Sequence, residues 1–180
     1  MLKLLGLALL AAALVLGAKC MTIRKNLVSE RQTIGAEWEQ VNTALEARVA
    51  IVPDLMQTVG GELHGAASAE SAMAAVNAAR DSLHAATGRH EKIRANARLE
   101  ETLSLLMLKV EEYPKLESSK KYAVLLESLK GADYQIAVAR RKYNEAVEHY
   151  NARLELFPNN IVSSVSRLGK IDAYFQTAAP

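Results

Sequence analysis

A single cysteine, Cys20, stands in the whole sequence. No disulfide can form within the chain, and a zinc centre built from cysteines is excluded. Glycine and proline are sparse, at 9 and 4 residues, which argues against a loop-rich or strand-and-turn fold. Charge of one sign is also missing. Lys and Arg number 22 and Asp and Glu number 20, so the chain lacks the basic excess of nucleic-acid binders, and we expect no nucleic-acid partner. There is no glycine-rich phosphate loop, no nucleophile elbow and no His-Glu-x-x-His. Even one Glu-x-x-His is lacking, whereas a di-iron bundle needs two such motifs plus two further glutamates. The four histidines, His64, His84, His90 and His149, are scattered along the chain. We therefore expect no catalytic residues, no cofactor and no metal, and a protein that is not an enzyme.

What is present is helix. Ala, Leu, Glu, Lys and Arg dominate the 180 residues, a length suited to one domain with a real core. The stretch from Lys121 to Phe157 organises the rest. Read every seventh residue it gives Tyr122, Leu129, Ile136, Tyr143, Tyr150 and Phe157. A neighbouring register gives Leu126, Asp133, Arg140, Val147 and Leu154, and a third gives Leu125, Ala132, Ala139 and Ala146. An α-helix returns to the same face after seven residues, so these positions form one seam along a rod of roughly 55 Å. A rod of that length needs partner helices.

The partners are legible in turn. A helix from about Thr22 to His64 places Leu27, Ile34, Val41, Arg48 and Leu55 in one register and Trp38, Leu45, Val52 and Val59 in another. The phase does not change at Pro53, which predicts a kink inside one helix rather than a break. Gly60, Gly61 and Gly65 loosen and end this segment. A third helix, from Ser68 to about Thr87, shows Met73, Val76, Arg80 and Leu83 on one face and alanines on the others, and Gly88 is its expected stop. A fourth, Glu91 to Tyr113, carries the stripe Leu99, Leu103, Leu106, Val110 and Tyr113 and stops at Pro114. At its start His90-Glu91-Lys92 reads as solvent-facing charge. Ser118 or Ser119 can cap the rod that follows. Ile161 to Leu168 forms one or two turns, and Tyr174-Phe175 is aromatic enough to dock back on the bundle.

At the N-terminus, Leu4 to Ala18 is an unbroken apolar run between Lys3 and Lys19. Helix of this length spans ~22 Å, and flanking residues with snorkelling lysines can extend it toward the ~30 Å of a bilayer core. A cleaved signal peptide would put Leu16 where a small residue is expected, and a lipoprotein cut before Cys20 would put Lys19 at the scissile bond. An uncleaved anchor needs neither feature. The expectation is an all-α protein: a transmembrane anchor over 1–21, then a bundle domain over 22–180, antiparallel, of about four helices, two of them long. It would sit as a single-pass protein in the cell (inner) membrane, held by lipid through residues 2–18. Lys3 and the free amine nearly balance Lys19, Arg24 and Lys25, which leaves its orientation open.

Polar residues interrupt the seams. Arg48, Asp133 and Arg140 occupy seam positions, and Asn144 and Asn151 each follow a seam tyrosine. A buried charge must be paired, so these five form a candidate buried polar network, with Asp133 expected to pair with Arg48 or Arg140. Two functions suit such a network. As a register lock it belongs to a scaffold that binds a protein partner or a second copy of itself. As a polar pocket it would hold a small molecule or ion.

The segment Ile136–Asn160 reads IAVARRKYNEAVEHYNARLELFPNN and resembles the LemA family, with its AR-x-x-YN-x-x-V-x-x-YN run followed by FP-x-N. Glu37–Val59, EWEQVNTALEARVAIVPDLMQTV, is similar to that family's Trp-containing helix with its Arg-x-x-x-x-Pro-x-Leu stretch, and Glu111–Leu116, EEYPKL, to its YP turn. The resemblance implies a single N-terminal membrane helix and a mostly helical domain, and no defined reaction. After Asn160 the chain departs from the pattern, with Arg167-Leu168-Gly169 in place of a Gly-Phe loop.

Overall fold

A computed structural model describes residues 2–62 and 67–175, the side chains of 2–5, 8, 9, 12 and 67 excepted. Among the described residues the chain is helical without strands: α1 (Leu2–Glu62), α2 (Ala67–Ala85), α3 (Arg89–Val110), α4 (Pro114–Glu117), α5 (Lys120–Glu155) and α6 (Asn159–Val165). α1 runs unbroken through Pro53, as the constant phase of its apolar positions requires. Pro53 lies on the exposed side, where its missing N–H removes one ladder bond without opening the core. The expected stops at His64 and Gly65 lie outside the described residues.

The chain forms two compact units, and both α1 and α5 contribute to each. The first comprises the chain to Trp38 and Lys142–Asp172. Leu27, Ile34 and Trp38 of α1 are buried in it, as are Tyr143, Val147, Tyr150 and Leu154 of α5 and Val162 of α6. The Trp38 and Tyr143 rings meet edge to face at 5.2 Å, and Arg153 pairs with Glu30. One contact lies late in this part of α1 and early in this part of α5, the other the reverse, so the two helices run antiparallel.

The second unit takes Glu39–Arg141 and the chain from Ala173. Among the described residues its four longer helical stretches, from α1, α2, α3 and α5, make an up-and-down bundle, with the short α4 between α3 and α5. α1 and α3 run parallel, since Asn42 accepts from Lys92 at 3.0 Å and Arg48 meets Asn96 further along both. α3 and α5 run antiparallel, since Glu100 meets Arg140 while Tyr122 donates to the Met107 sulfur at 3.1 Å. α2 packs on α3, with small Ala69 and Ala79 buried. At Gly60 α1 comes so close to α2 that a β-carbon would lie 2.9 Å from Met73 Cε. Leu116 of α4 is fully buried, so the short turn expected after Pro114 is an anchored helical turn. Ser119 caps α5, its Oγ accepting from the Tyr122 N–H at 3.5 Å.

Two sequence expectations are corrected. Phe157 extends the heptad arithmetic of the rod, but α5 ends at Glu155 and Phe157 is 80% exposed. The periodicity outran the helix. Gly88 does not stop α2, which ends at Ala85; it starts α3 instead, and the Glu91 carboxylate reaches back to accept from the Gly88 and Thr87 N–H groups at 3.4 Å. Glu91 faces solvent, as expected, and caps α3 as well.

The expected transmembrane anchor falls on the first turns of α1. Among the described residues no helix is long and apolar enough to cross a membrane. The side chains of Leu2, Leu4, Leu5, Ala8, Leu9 and Ala12, on which the expected anchor also draws, lie outside those described.

Candidate functional site

Of the five polar residues singled out from the sequence, Arg48 and Asp133 come together, while Arg140, Asn144 and Asn151 lie elsewhere. Arg48 is the buried one, at 3% exposure in the second unit. Its Nη1 donates to Asn96 Oδ1 at 2.9 Å, and its Nη2 pairs with the Asp133 carboxylate. Three helices, α1, α3 and α5, thus meet on one guanidinium. Its Nε is buried with no hydrogen-bond partner, so the planar fork engages the neighbouring helices through its two outer nitrogens. Asp133 itself is 49% exposed, contrary to its seam position. It reaches inward from the rim and brings its charge to Arg48 while water still solvates it.

Arg140, two helical turns further along α5, does not join this pair. It salt-bridges Glu100 at 3.4 Å, and its guanidinium lies 4.9 Å from the Phe175 ring centre. Phe175 is buried, so the aromatic tail docks as the sequence suggests, whereas Tyr174 is exposed. Asn144 is half-buried in the first unit. Asn151, also in that unit, clasps the tail: its Nδ2 donates to the Ile171 carbonyl at 2.7 Å and its Oδ1 accepts the Ile171 N–H at 2.9 Å. Beside it Tyr150 donates to the Gly169 carbonyl at 3.4 Å, and Lys170 pairs with Glu155.

Asn96 is the residue sequence reasoning missed. It is 1% exposed and completes the Arg48 cluster. The signal was there: stepping the stripe Leu99, Leu103, Leu106, Val110 back by three lands on Asn96.

The electrostatics are those of a packed bundle. Burial pushes the Tyr150 and Tyr122 phenols up from their ordinary value. The hydrogen bond from Lys170 holds the Glu155 carboxyl below the usual range, and the bond that Lys109 donates to Glu112 raises the lysine. A groove of about 560 Å³ between α2 and α3 is lined by Ser82, Ala86, Arg94 and Arg98 among others, and by none of the five residues above. Among the described residues no three of His, Cys, Asp and Glu gather as a metal site would require.

The family model described as the LemA family matches residues 37–180. The chain belongs to the LemA family. Arg48, Asn96 and Asp133 all lie inside the matched region of this LemA-family chain, as do Arg140, Asn144 and Asn151. The match begins at Glu37, one residue before Trp38, and leaves the apolar N-terminal run outside it. No curated protein matches the chain.

Proposed function

We propose that this LemA-family chain is a membrane-tethered helical scaffold: residues 1–21 anchor it in the cell (inner) membrane, single-pass, and residues 22–180 present an interaction domain. The observation that carries this is the state of α1 before Leu27. From Gly6 to Asn26 no described side chain is buried, and Leu7, Leu10, Leu14, Val15 and Leu16 are each more than half exposed. So much apolar surface on every side of a helix is unfavourable in water, at about 25 cal/mol per Å², and lipid is the medium that removes it. The sequence adds Leu2, Leu4, Leu5 and Leu9 to the same run.

The domain's role is non-catalytic in this reading, with a protein partner or a second copy of the chain bound on an exposed helix face. Arg48 supports it: both outer guanidinium nitrogens are engaged by Asn96 and Asp133, which suits a register lock better than a ligand pocket. Membrane flotation and alkaline carbonate extraction of the full chain, with intact-mass measurement of its N-terminus, test the tether. Retention with an intact Met1 supports it. A chain released by carbonate, or one shortened before Cys20, overturns it.

A further inference from the structure

The first unit carries a second apolar surface that its own packing leaves uncovered. Leu156, Phe157, Ile161 and Val165 are all exposed, the most exposed being Phe157 at 80% and Val165 at 82%. They fall close together in the chain, at the corner where α5 ends and α6 turns back. α6 is two-faced: Val162 and Ser163 are buried against the unit, while Ile161 and Val165, one turn apart, point away from it. Isolated exposed apolar residues need no explanation, but a cluster at one corner does.

The antiparallel register fixes where this corner lies along α1. Arg153 meets Glu30 and Tyr143 meets Trp38, so the end of α5 at Glu155 lies level with about Asn26 to Val28, and Phe157 follows two residues past it. That is roughly 10–14 Å of helix beyond Lys19, where the apolar run ends. Arg24 and Lys25 are exposed within one turn of this level, on the side of the apolar run, and Arg167 is exposed just past α6. The corner therefore combines bulky apolar side chains with cations, at the height where α1 would leave a bilayer.

We propose that the α5–α6 corner is a second membrane contact: Leu156, Phe157, Ile161 and Val165 insert into the interfacial layer of an anionic lipid surface beside the anchor, with Arg24 and Lys25 at the headgroups. This rests on the tethered reading and adds a partner to it. A tether alone holds the first unit to the lipid through α1 only. This contact lays one face of the first unit down on it.

The test uses the full chain in vesicles of phosphatidylethanolamine with about one-third phosphatidylglycerol. An environment-sensitive fluorophore is placed by Phe157→Cys or Val165→Cys in a Cys20→Ser background, with Ala36→Cys, an exposed position further along α1, as the water-facing reference. The native Cys20, labelled in the unaltered chain, reports the anchor. Spin-labelled lipid quenches whatever touches the bilayer. Expected are blue-shifted emission and quenching at 157 and 165 at least about twofold greater than at 36, with Cys20 also quenched. If Cys20 is quenched while 157 and 165 behave as 36 does, the second contact is wrong and the tether stands. If Cys20 is not quenched, the tether fails and this proposal with it. Emission that shifts at 157 without lipid quenching, together with crosslinking between chains through Phe157→Cys, assigns the corner to a second copy and overturns the lipid contact.

Discussion

Asn151 pairs both ways with the backbone of Ile171, as one strand residue pairs with another, although one partner is a helix side chain. The Asn151 amide thereby supplies the donor and the acceptor that an irregular segment cannot find in itself. Asn151→Ala leaves an N–H and a C=O of Ile171 unpaired, and the expected cost is about 1–3 kcal/mol. Asn151→Asp keeps the acceptor but sets a carboxylate oxygen against the Ile171 carbonyl. It should be at least as damaging. Denaturant melts give the cost, and amide exchange at Gly169–Ala173 should accelerate in both variants.

The Arg48 cluster predicts strong non-additivity. Asp133→Asn removes the countercharge of a buried cation, and should lower stability by about 1–3 kcal/mol, less than for a fully buried pair because Asp133 is half in water. Arg48→Met alone strands Asn96 without a partner. Arg48→Met with Asn96→Leu replaces the polar contact by an apolar one and should recover most of that loss. A double-mutant cycle on melting curves reads the coupling. An unchanged melting temperature for Asp133→Asn across about pH 4 to 8 would falsify the ion pair.

The seam of α5 separates packing from periodicity. Leu129 is buried and Phe157 is not, although both belong to one seven-residue series. Leu129→Ala should cost ~2–5 kcal/mol. Phe157→Ser should change stability by less than about 0.5 kcal/mol. Equal losses from the two would mean that the corner packs against protein after all.

Stability should respond to pH at both ends through the tail contacts. Burial raises the Tyr150 phenol above the ordinary 10.0, so the folded state favours its neutral form. That contribution is complete below pH 10.0 and is lost as pH rises through the folded value, because the unfolded chain gives up its proton first. Tyr150→Phe should flatten this alkaline limb. Glu155 has the opposite sign. Its depressed carboxyl favours the fold above 4.5, and the contribution fades as pH falls through the folded value, releasing Lys170. Amide exchange around Lys170 at about pH 3 against about pH 6 checks it, with Asn151 still holding Ile171.

Pro53 interrupts the hydrogen-bond ladder of a continuous helix at an exposed site. Pro53→Ala restores the amide that the Val49 carbonyl lacks and should stabilise the chain by about 1–3 kcal/mol. Thermal melting measures this directly.

The helices were legible because side-chain period is a property of sequence. Leu27 to Leu55, Trp38 to Val59 and Tyr122 to Tyr150 are buried as their spacing implies, Arg48 included. Pro53 was readable for the same reason. Partners were not, because partnering depends on which groups other segments bring. Asn151 has the spacing of a core residue, but its mate is a backbone amide 20 positions away in a segment without periodicity. Asp133 and Arg140 share a register with Val147 and Leu154, yet lie toward the rim with side chains that bridge to α1 and α3. Phe157 falls outside α5 because a repeat of side chains does not set where the hydrogen-bond ladder stops.

α1 passes from the apolar N-terminal run to Trp38 without a break. The azimuth of every residue before Leu27 is therefore set by the side chains that seat Ile34 and Trp38. Inserting one alanine after Asn26 would turn the whole preceding stretch by about 100° and lift it by about 1.5 Å, while inserting seven would return it nearly to its original heading. A function that depends on which way the domain faces should vanish with one added residue and return with seven.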